Sequence, residues 1–385
     1  MAQSFDAVVV GGGLIGLFGA WNLARRGRSV LVAERDTIAC GTTGASFAWL
    51  NATSKTDPDY HRLNAEGLAR HHELARLWGE RTVGMHGAGV ITWGEPDATI
   101  TPEDLAHQAL ALKDLNYPCL WLDGDELEAL EPRVAFGGMA QGLLSPCDRW
   151  LDAPILARHL AREITSAGGT VREGAPVTAL NKSAAGAIES LTVAGETITC
   201  GQVLLAAGPG TAEVIALAGA DAAALVPVRR VPGLLVSLPP DAARTMVNHI
   251  VYAPDAGNFH IRPTADGGLL LGDDVIDAMI GDGDDPALLP AATRALLEVA
   301  ARHLPTLHVE DALAGARAAV GVRPVPGDGR TIAGALPGVP GLFVIATHSG
   351  ITLAPLLGEL LGAEMIDGTR DALLAGFRPE RFATA

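Results

Sequence analysis

The chain has 385 residues, 48% hydrophobic and 19% charged, enough for two domains with a large core. Its net charge of -16 disfavours nucleic acid and anionic lipid as partners, and Arg229-Arg230 is only a pair. The four cysteines (Cys40, Cys119, Cys147, Cys200) lie far apart without metal-type spacing, so no metal and a reducing, cytoplasmic setting are expected.

The elements begin at once. Ala7 to Val10 reads as a short buried strand, which leaves no room for a signal peptide. GGGLIG follows (Gly11 to Gly16), then a helix to about Arg26 that Gly27 stops. A second strand spans 29–33, with Glu34 at its end. His71-His72 and His107 fall on helix-like stretches and are expected at the surface. Residues 81–144 mix turns, short strands and a helix near 102–115. A second α/β stretch opens near Leu151, with a helix over 155–167 and strands around Val171, 177–180, 191–193 and 197–200. The strand 203–207 closes on Gly208-Pro209-Gly210. Residues 223–322 hold strands and a hairpin, 259–263 with 269–271, turned at Asp266-Gly267-Gly268. Last come a strand over 342–346 and a helix over 352–366, with Thr352 as N-cap and Pro355 in the first turn. Apolar runs break too early for a membrane span.

The predicted fold is α/β: a Rossmann-type domain (1–80, 145–222, 323–385) with an inserted antiparallel-sheet, α+β substrate domain (81–144, 223–322). Gly11, Gly13 and Gly16 form GxGxxG between a strand and a helix. The first permits the turn, the second admits a pyrophosphate, and the third lets helix and strand pack closely. Leu14 and Ile15 open the helix, whose N–H groups and dipole favour phosphate. Glu34 stands where an acid accepts from ribose hydroxyls, which argues against NADP. GxSxG, HExxH and Walker A motifs are absent, so hydrolase and nucleotide-triphosphatase readings fall away.

Five segments in order, VVVGGGLIG, ACGTTGASFAWL, VLLAAGPGT, GVRPVPGDG and GLFVIATHSGITLAPLLGELLG, resemble the FAD-dependent D-amino acid oxidase, glycine oxidase and sarcosine oxidase family. The resemblance covers nearly the whole chain and implies FAD. It implies an adenosine-ribose end at Glu34 and Arg35, and a loop past the pyrophosphate and over the flavin at Thr42, Thr43 and Ser46. It also implies an adenine contact at Val177, a second pyrophosphate-side turn at Ala207-Gly208, and a flavin pyrimidine edge at Gly350, Ile351 and Thr352. His348, in that last turn, is expected to add positive charge as imidazolium or to aid oxygen reduction. Arg323 aligns with the family's carboxylate-binding arginine, whose planar fork makes two hydrogen bonds. Gly321 replaces the cysteine that attaches flavin in sarcosine oxidases, so the FAD is expected to be non-covalent. His260 falls where glycine oxidases place a tyrosine against substrate, and Arg262 shares its strand face by alternation. Trp49 is expected to wall the active site. Lys55 reads as a solvated lysine, with contact to substrate or oxygen as the alternative.

The activity so implied is removal of a hydride from an amino acid or secondary amine to flavin N5, giving an imine that water hydrolyses. Oxygen or another acceptor then takes the electrons. Oxidation of a 2-hydroxy acid and a non-catalytic flavoprotein role remain alternatives on the same fold.

Overall fold

All of Ala7, Val8, Val9 and Val10 are buried, as are Val30 to Ala33. Unbroken burial rather than alternation marks strands covered on both faces. In the computed structural model, which describes residues 3–243 and 247–383, these strands lie at the centre of a parallel arrangement. Ser4–Val10 pairs with Val30–Ala33 on one side and with Glu196–Leu205 on the other. Thr170–Arg172 extends the sheet beyond Val30–Ala33, and Leu342–Ala346 extends it beyond Glu196–Leu205. Antiparallel strands Val177–Lys182, Ile188–Val193 and Ile332–Ala335 complete eight. The register sets Val10 beside both Ala33 and Leu205. The carboxyl ends therefore share one edge, where doubly wound sheets bind ligands.

Helix Leu14–Ala24 packs on this sheet with Gly350–Asp367 and Ala153–Ser166. Closeness is enforced by glycine. A Cβ at Gly358 would stand 2.7 Å from the Phe18 backbone, and one at Gly16 would stand 2.1 Å from the Gly11 carbonyl.

A second eight-stranded sheet runs in the order Arg317–Pro326, Val228–Leu238, Leu269–Gly272, His260–Pro263, Ile250–Tyr252, Val90–Gly94, Gln141–Ser145, Leu120–Leu122. Only the pairing of Ile250–Tyr252 with Val90–Gly94 is parallel. Leu296, Leu297 and Ala300 of helix Leu289–His303 share a core with Leu234, Val236, Leu269 and Leu271 of this sheet. The expected division at residue 323 falls inside strand Arg317–Pro326, which carries both Gly321 and Arg323. A small sheet of Trp49–Leu50, Arg149–Leu151 and Met85–His86 holds the segment after the glycine loop. No helix of the described residues is long and apolar enough to cross a membrane.

Two expectations need correction. His71, expected at the surface, is only 1% exposed on helix Pro58–Trp78; His72 is half-buried and His107 exposed. The last long helix starts at Gly350, with Ser349 rather than Thr352 at its N-cap, so Pro355 lies beyond the first turn. Thr352 instead uses its hydroxyl to accept from Asn51 N–H (3.2 Å) and to donate to the Trp49 carbonyl (3.3 Å). Proline cannot donate to the Ile351 carbonyl four residues back. His71 Nε2 fills that role, donating to it at 2.9 Å.

Candidate active site

Three turns meet at the shared edge of the first sheet: the glycine loop, Ala206 to Gly208, and Thr347 to Gly350. Gly11 has φ of 113°, and a Cβ there would lie 2.4 Å from the Ala206 carbonyl, so only glycine joins strand to helix here. The helix it opens has no side-chain cap and no acid in its first turn. Its N-terminus is thus open to an anion, save that Leu14 N–H donates to Thr43 Oγ1 at 3.2 Å. Glu34 braces the loop, accepting from Gly12 N–H (2.6 Å) and Asp36 N–H (2.9 Å).

The loop after Cys40 lies between the two sheets. Thr42 Oγ1 donates to the Val322 carbonyl on the second sheet, and Ala48 N–H donates to Ser46 Oγ at 2.9 Å. Ala39 and Ala48 hold left-handed backbone at φ of 62° and 55°. Such strain in non-glycine residues persists only where the surroundings impose it. A Cβ at Gly321 would meet the Ala45 carbonyl at 2.0 Å, so no larger residue fits beneath this loop as it stands.

These elements enclose one cavity of about 1040 Å³. Gly11, Gly13, Leu14, Ile15, Glu34, Arg35, Thr42, Thr43 and Ser46 line it. So do Val177, Ala207 and Gly208 at one end and Gly350, Ile351 and Thr352 at the other. Gly16 does not; it faces the loop backbone in the helix–strand contact.

The far end of the cavity is walled by Trp49, Tyr252, His260, Arg323 and His348. Trp49 Nε1 donates to Asp148 Oδ2 at 2.8 Å, and its ring leans on Tyr252 at 4.9 Å. Tyr252 stacks on His260 at 5.0 Å, and Phe47 meets His260 edge-on at 4.5 Å. Burial lowers the pKa of His260, whose Nδ1 bonds the Asn258 carbonyl at 2.7 Å. His348 lines the cavity and is exposed there. Desolvation, with Lys55 and Arg323 nearby, holds its pKa down to about 4. That environment favours the neutral imidazole over the imidazolium.

Arg323 lines the cavity with its fork already engaged. Nη2 donates to the Pro232 carbonyl (2.8 Å) and Asp277 Oδ2 (2.7 Å), and Nη1 lies 3.5 Å from Asp274 Oδ1. Arg262 is not brought into the cavity. It is 6% exposed, donates to the Phe47 carbonyl at 2.7 Å and lies over the Trp150 ring at 4.3 Å. Burial lowers its pKa to about 10. Its guanidinium, held by the Phe47 carbonyl and the Trp150 ring, acts as a brace rather than a cavity wall.

Sequence reasoning missed Tyr252, Asp148 and Asp274. Asp148 is fully buried and accepts from Trp49, Thr53 (3.0 Å) and Tyr117. Burial still dominates and raises its pKa to about 7. Lys55, read as solvated, lines the cavity, and burial lowers its pKa. No local pattern marks these residues, because their neighbours come from distant segments.

The DAO family, described as FAD-dependent oxidoreductases, matches residues 6–364. The chain belongs to the DAO family. Among DAO-family proteins it is similar to glycine oxidase of Geobacillus kaustophilus (strain HTA426), 28% identical over 95% of this chain and 94% of that one. A crystal structure of glycine oxidase from Geobacillus kaustophilus superposes with a TM-score of 0.83 at 27% identity, covering 99% and 100% of the two chains. Glycine oxidase of Bacillus licheniformis is 26% identical over 99% of this chain and 98% of that one. The cofactor of this DAO-family chain is FAD. The uncapped helix start, the glycine-only turn and the cavity running between the two sheets fit it.

Proposed function

We propose that this chain oxidises the C–N bond of an amino acid or secondary amine. The observation that carries this reading is the chemistry of the cavity's far end. His348 and Lys55, both with pKa values lowered chiefly by desolvation, line the cavity with the rings of Trp49, Tyr252 and His260. The desolvation that depresses both groups, with the cations beside His348, also favours a neutral substrate amine. A neutral amine has the lone pair that drives hydride loss from its α-carbon, so no side-chain base is required. FAD supplies the hydride acceptor when bound. The chain's residues orient the substrate and exclude water, and the imine product is hydrolysed by water. The two glycine oxidase relatives support the same bond.

On this reading the first sheet holds FAD through the glycine loop, Glu34 and residues 42–46, and the second sheet supplies the substrate wall. The FAD is non-covalent, since position 321 has no side chain and no space for one. Four free cysteines support residence in the reducing cytoplasm.

The test is to add candidate substrates anaerobically to purified protein and follow flavin absorbance. Amino acids or secondary amines should bleach it. Bleaching by 2-hydroxy acids alone would replace C–N by C–O oxidation, and no bleaching by either class would remove the catalytic reading. Readmitting oxygen then shows whether oxygen is the acceptor.

A further inference from the structure

We propose that the cavity selects an amino acid bearing a second cation at its far end, with Lys55 taking the carboxylate and Asp274 taking that cation. This rests on the cavity being a C–N oxidising site.

The argument begins with Arg323. Two-point binding of a carboxylate needs two adjacent free N–H groups. Both Nη2 hydrogens are committed, to Pro232 and Asp277, and Nε points to the Val231 carbonyl at 3.4 Å. Nη1 stays available, but an incoming carboxylate there would crowd Asp274 Oδ1 at 3.5 Å. Two carboxylates against one guanidinium leave this wall with an uncompensated negative charge.

Asp277 is held in place, accepting also from Leu234 N–H at 2.7 Å, with its side chain 12% exposed. Asp274 is the open member of the group, 51% exposed, steadied by Asn258 Nδ2 at 3.2 Å. Tyr252 and His260 stand within its electrostatic reach. A cation held there meets an exposed carboxylate with hydrogen-bond acceptor capacity to spare, which suits ammonium and guanidinium groups.

Lys55 has the opposite problem. Its Nζ donates to Ser54 Oγ at 3.1 Å and lies 5.7 Å from the Tyr60 ring centre. No carboxylate is in ion-pair contact with it among the described residues. Half-buried on the cavity wall, with Asp148 acting on it only from beyond ion-pair distance, this ammonium is open to a substrate carboxylate. His348 feels Lys55, Arg323 and Asp274 together, so these charges converge on one chamber.

The experiment uses the FAD-loaded enzyme and two ligands without an α-amine, 4-guanidinobutyrate and hexanoate. Dissociation constants come from the perturbation of flavin absorbance. Wild type should bind 4-guanidinobutyrate about tenfold or more tightly than hexanoate, a difference of roughly 1.4 kcal/mol. In Asp274→Asn the ratio should collapse toward one. In Lys55→Met both ligands should weaken, while the neutral amide of hexanoate should not. Anaerobic flavin reduction by arginine against citrulline, as both enantiomers and their N-methyl forms, should show the same preference. Equal binding of the two ligands by wild type, or an unchanged ratio in Asp274→Asn, overturns the proposal. Fast reduction by neutral amino acids with no preference for basic ones overturns it and leaves C–N oxidation standing. If no amine or amino acid reduces the flavin, the C–N reading itself fails, whatever the binding ratio.

Discussion

Asp148 shows what one buried carboxylate does to its surroundings. Three donors point at it, yet desolvation outweighs them and its pKa rises to about 7. The folded state therefore holds a proton that the unfolded chain, near 3.8, has already released. Its stabilising contribution is complete below about pH 4 and is lost as pH rises through about 7. Asp148→Asn should remove that component, so the variant gains stability relative to wild type as pH climbs from about 4 to 7. Melting temperature against pH for both proteins checks this, and parallel curves would defeat it. His348 and His71 act in the opposite sense. Both are held down to about 4, so their contribution is present above 6.5 and lost as pH falls toward 4. At this scale legibility was uneven. Gly11 and Gly208 were readable because local backbone chemistry demands glycine in those turns, whereas Glu34 was read as a ribose acceptor and its bracing of the glycine loop was not foreseen. Asp148, Tyr252 and Asp274 were not, because their meaning arises only when segments far apart in the chain converge. Trp49 was readable as a wall, but the Asp148 carboxylate that fixes its ring was not.

At the scale of elements, glycine and proline punctuation carried most of the reading. The expected helix at 102–115 appears as Pro102–Asp114, and the hairpin turns at Gly267 with φ of 87°. The last helix was misjudged at its start because Thr352 has the residue type of a cap while Ser349 holds the position. Its consequence is that a buried histidine, not the proline, supplies the donor for the Ile351 carbonyl. Loss of the His71 donor leaves the Ile351 carbonyl without its partner, since Pro355 has no N–H to offer. His71→Phe should cost about 1–3 kcal/mol, the usual penalty for a buried polar group left unsatisfied. Pro355→Ala restores an amide four residues beyond Ile351. It should therefore recover part of the loss in the double variant, while changing little alone beyond removal of the ring. Urea unfolding of the four proteins gives the coupling directly. Strict additivity would mean that the histidine and the proline do not share this carbonyl.

The whole molecule depends on how one loop joins two sheets. The parallel strands of the first sheet were legible because buried strands and their helices alternate in sequence, but 197–200 and 203–207 are one strand, Glu196–Leu205, and Ile332–Ala335 was not foreseen. The second was legible only in part, since its strand order draws on separate stretches of chain and one parallel pairing. The loop 39–48 is where the two meet, through Thr42 to Val322 and Arg262 to Phe47. Gly321 lies under it, leaving the Ala45 carbonyl room to rest on the strand. A methyl at 321 would stand 2.0 Å from that oxygen, a contact that only movement of the loop or strand relieves. Each sheet has its own hydrophobic core, so the fold should tolerate the shift better than the cavity does. Gly321→Ala should keep native circular dichroism and elution volume but retain less FAD, with the dissociation constant raised about tenfold or more, roughly 1.4 kcal/mol. Gly138→Ala is the control. It is exposed and outside the cavity, its added Cβ meets no atom within 4 Å, and its backbone is not left-handed, so FAD retention should hold. Full FAD retention in Gly321→Ala would show that the loop settles elsewhere at no cost to the cofactor, and that its seat on the second sheet is not what positions it.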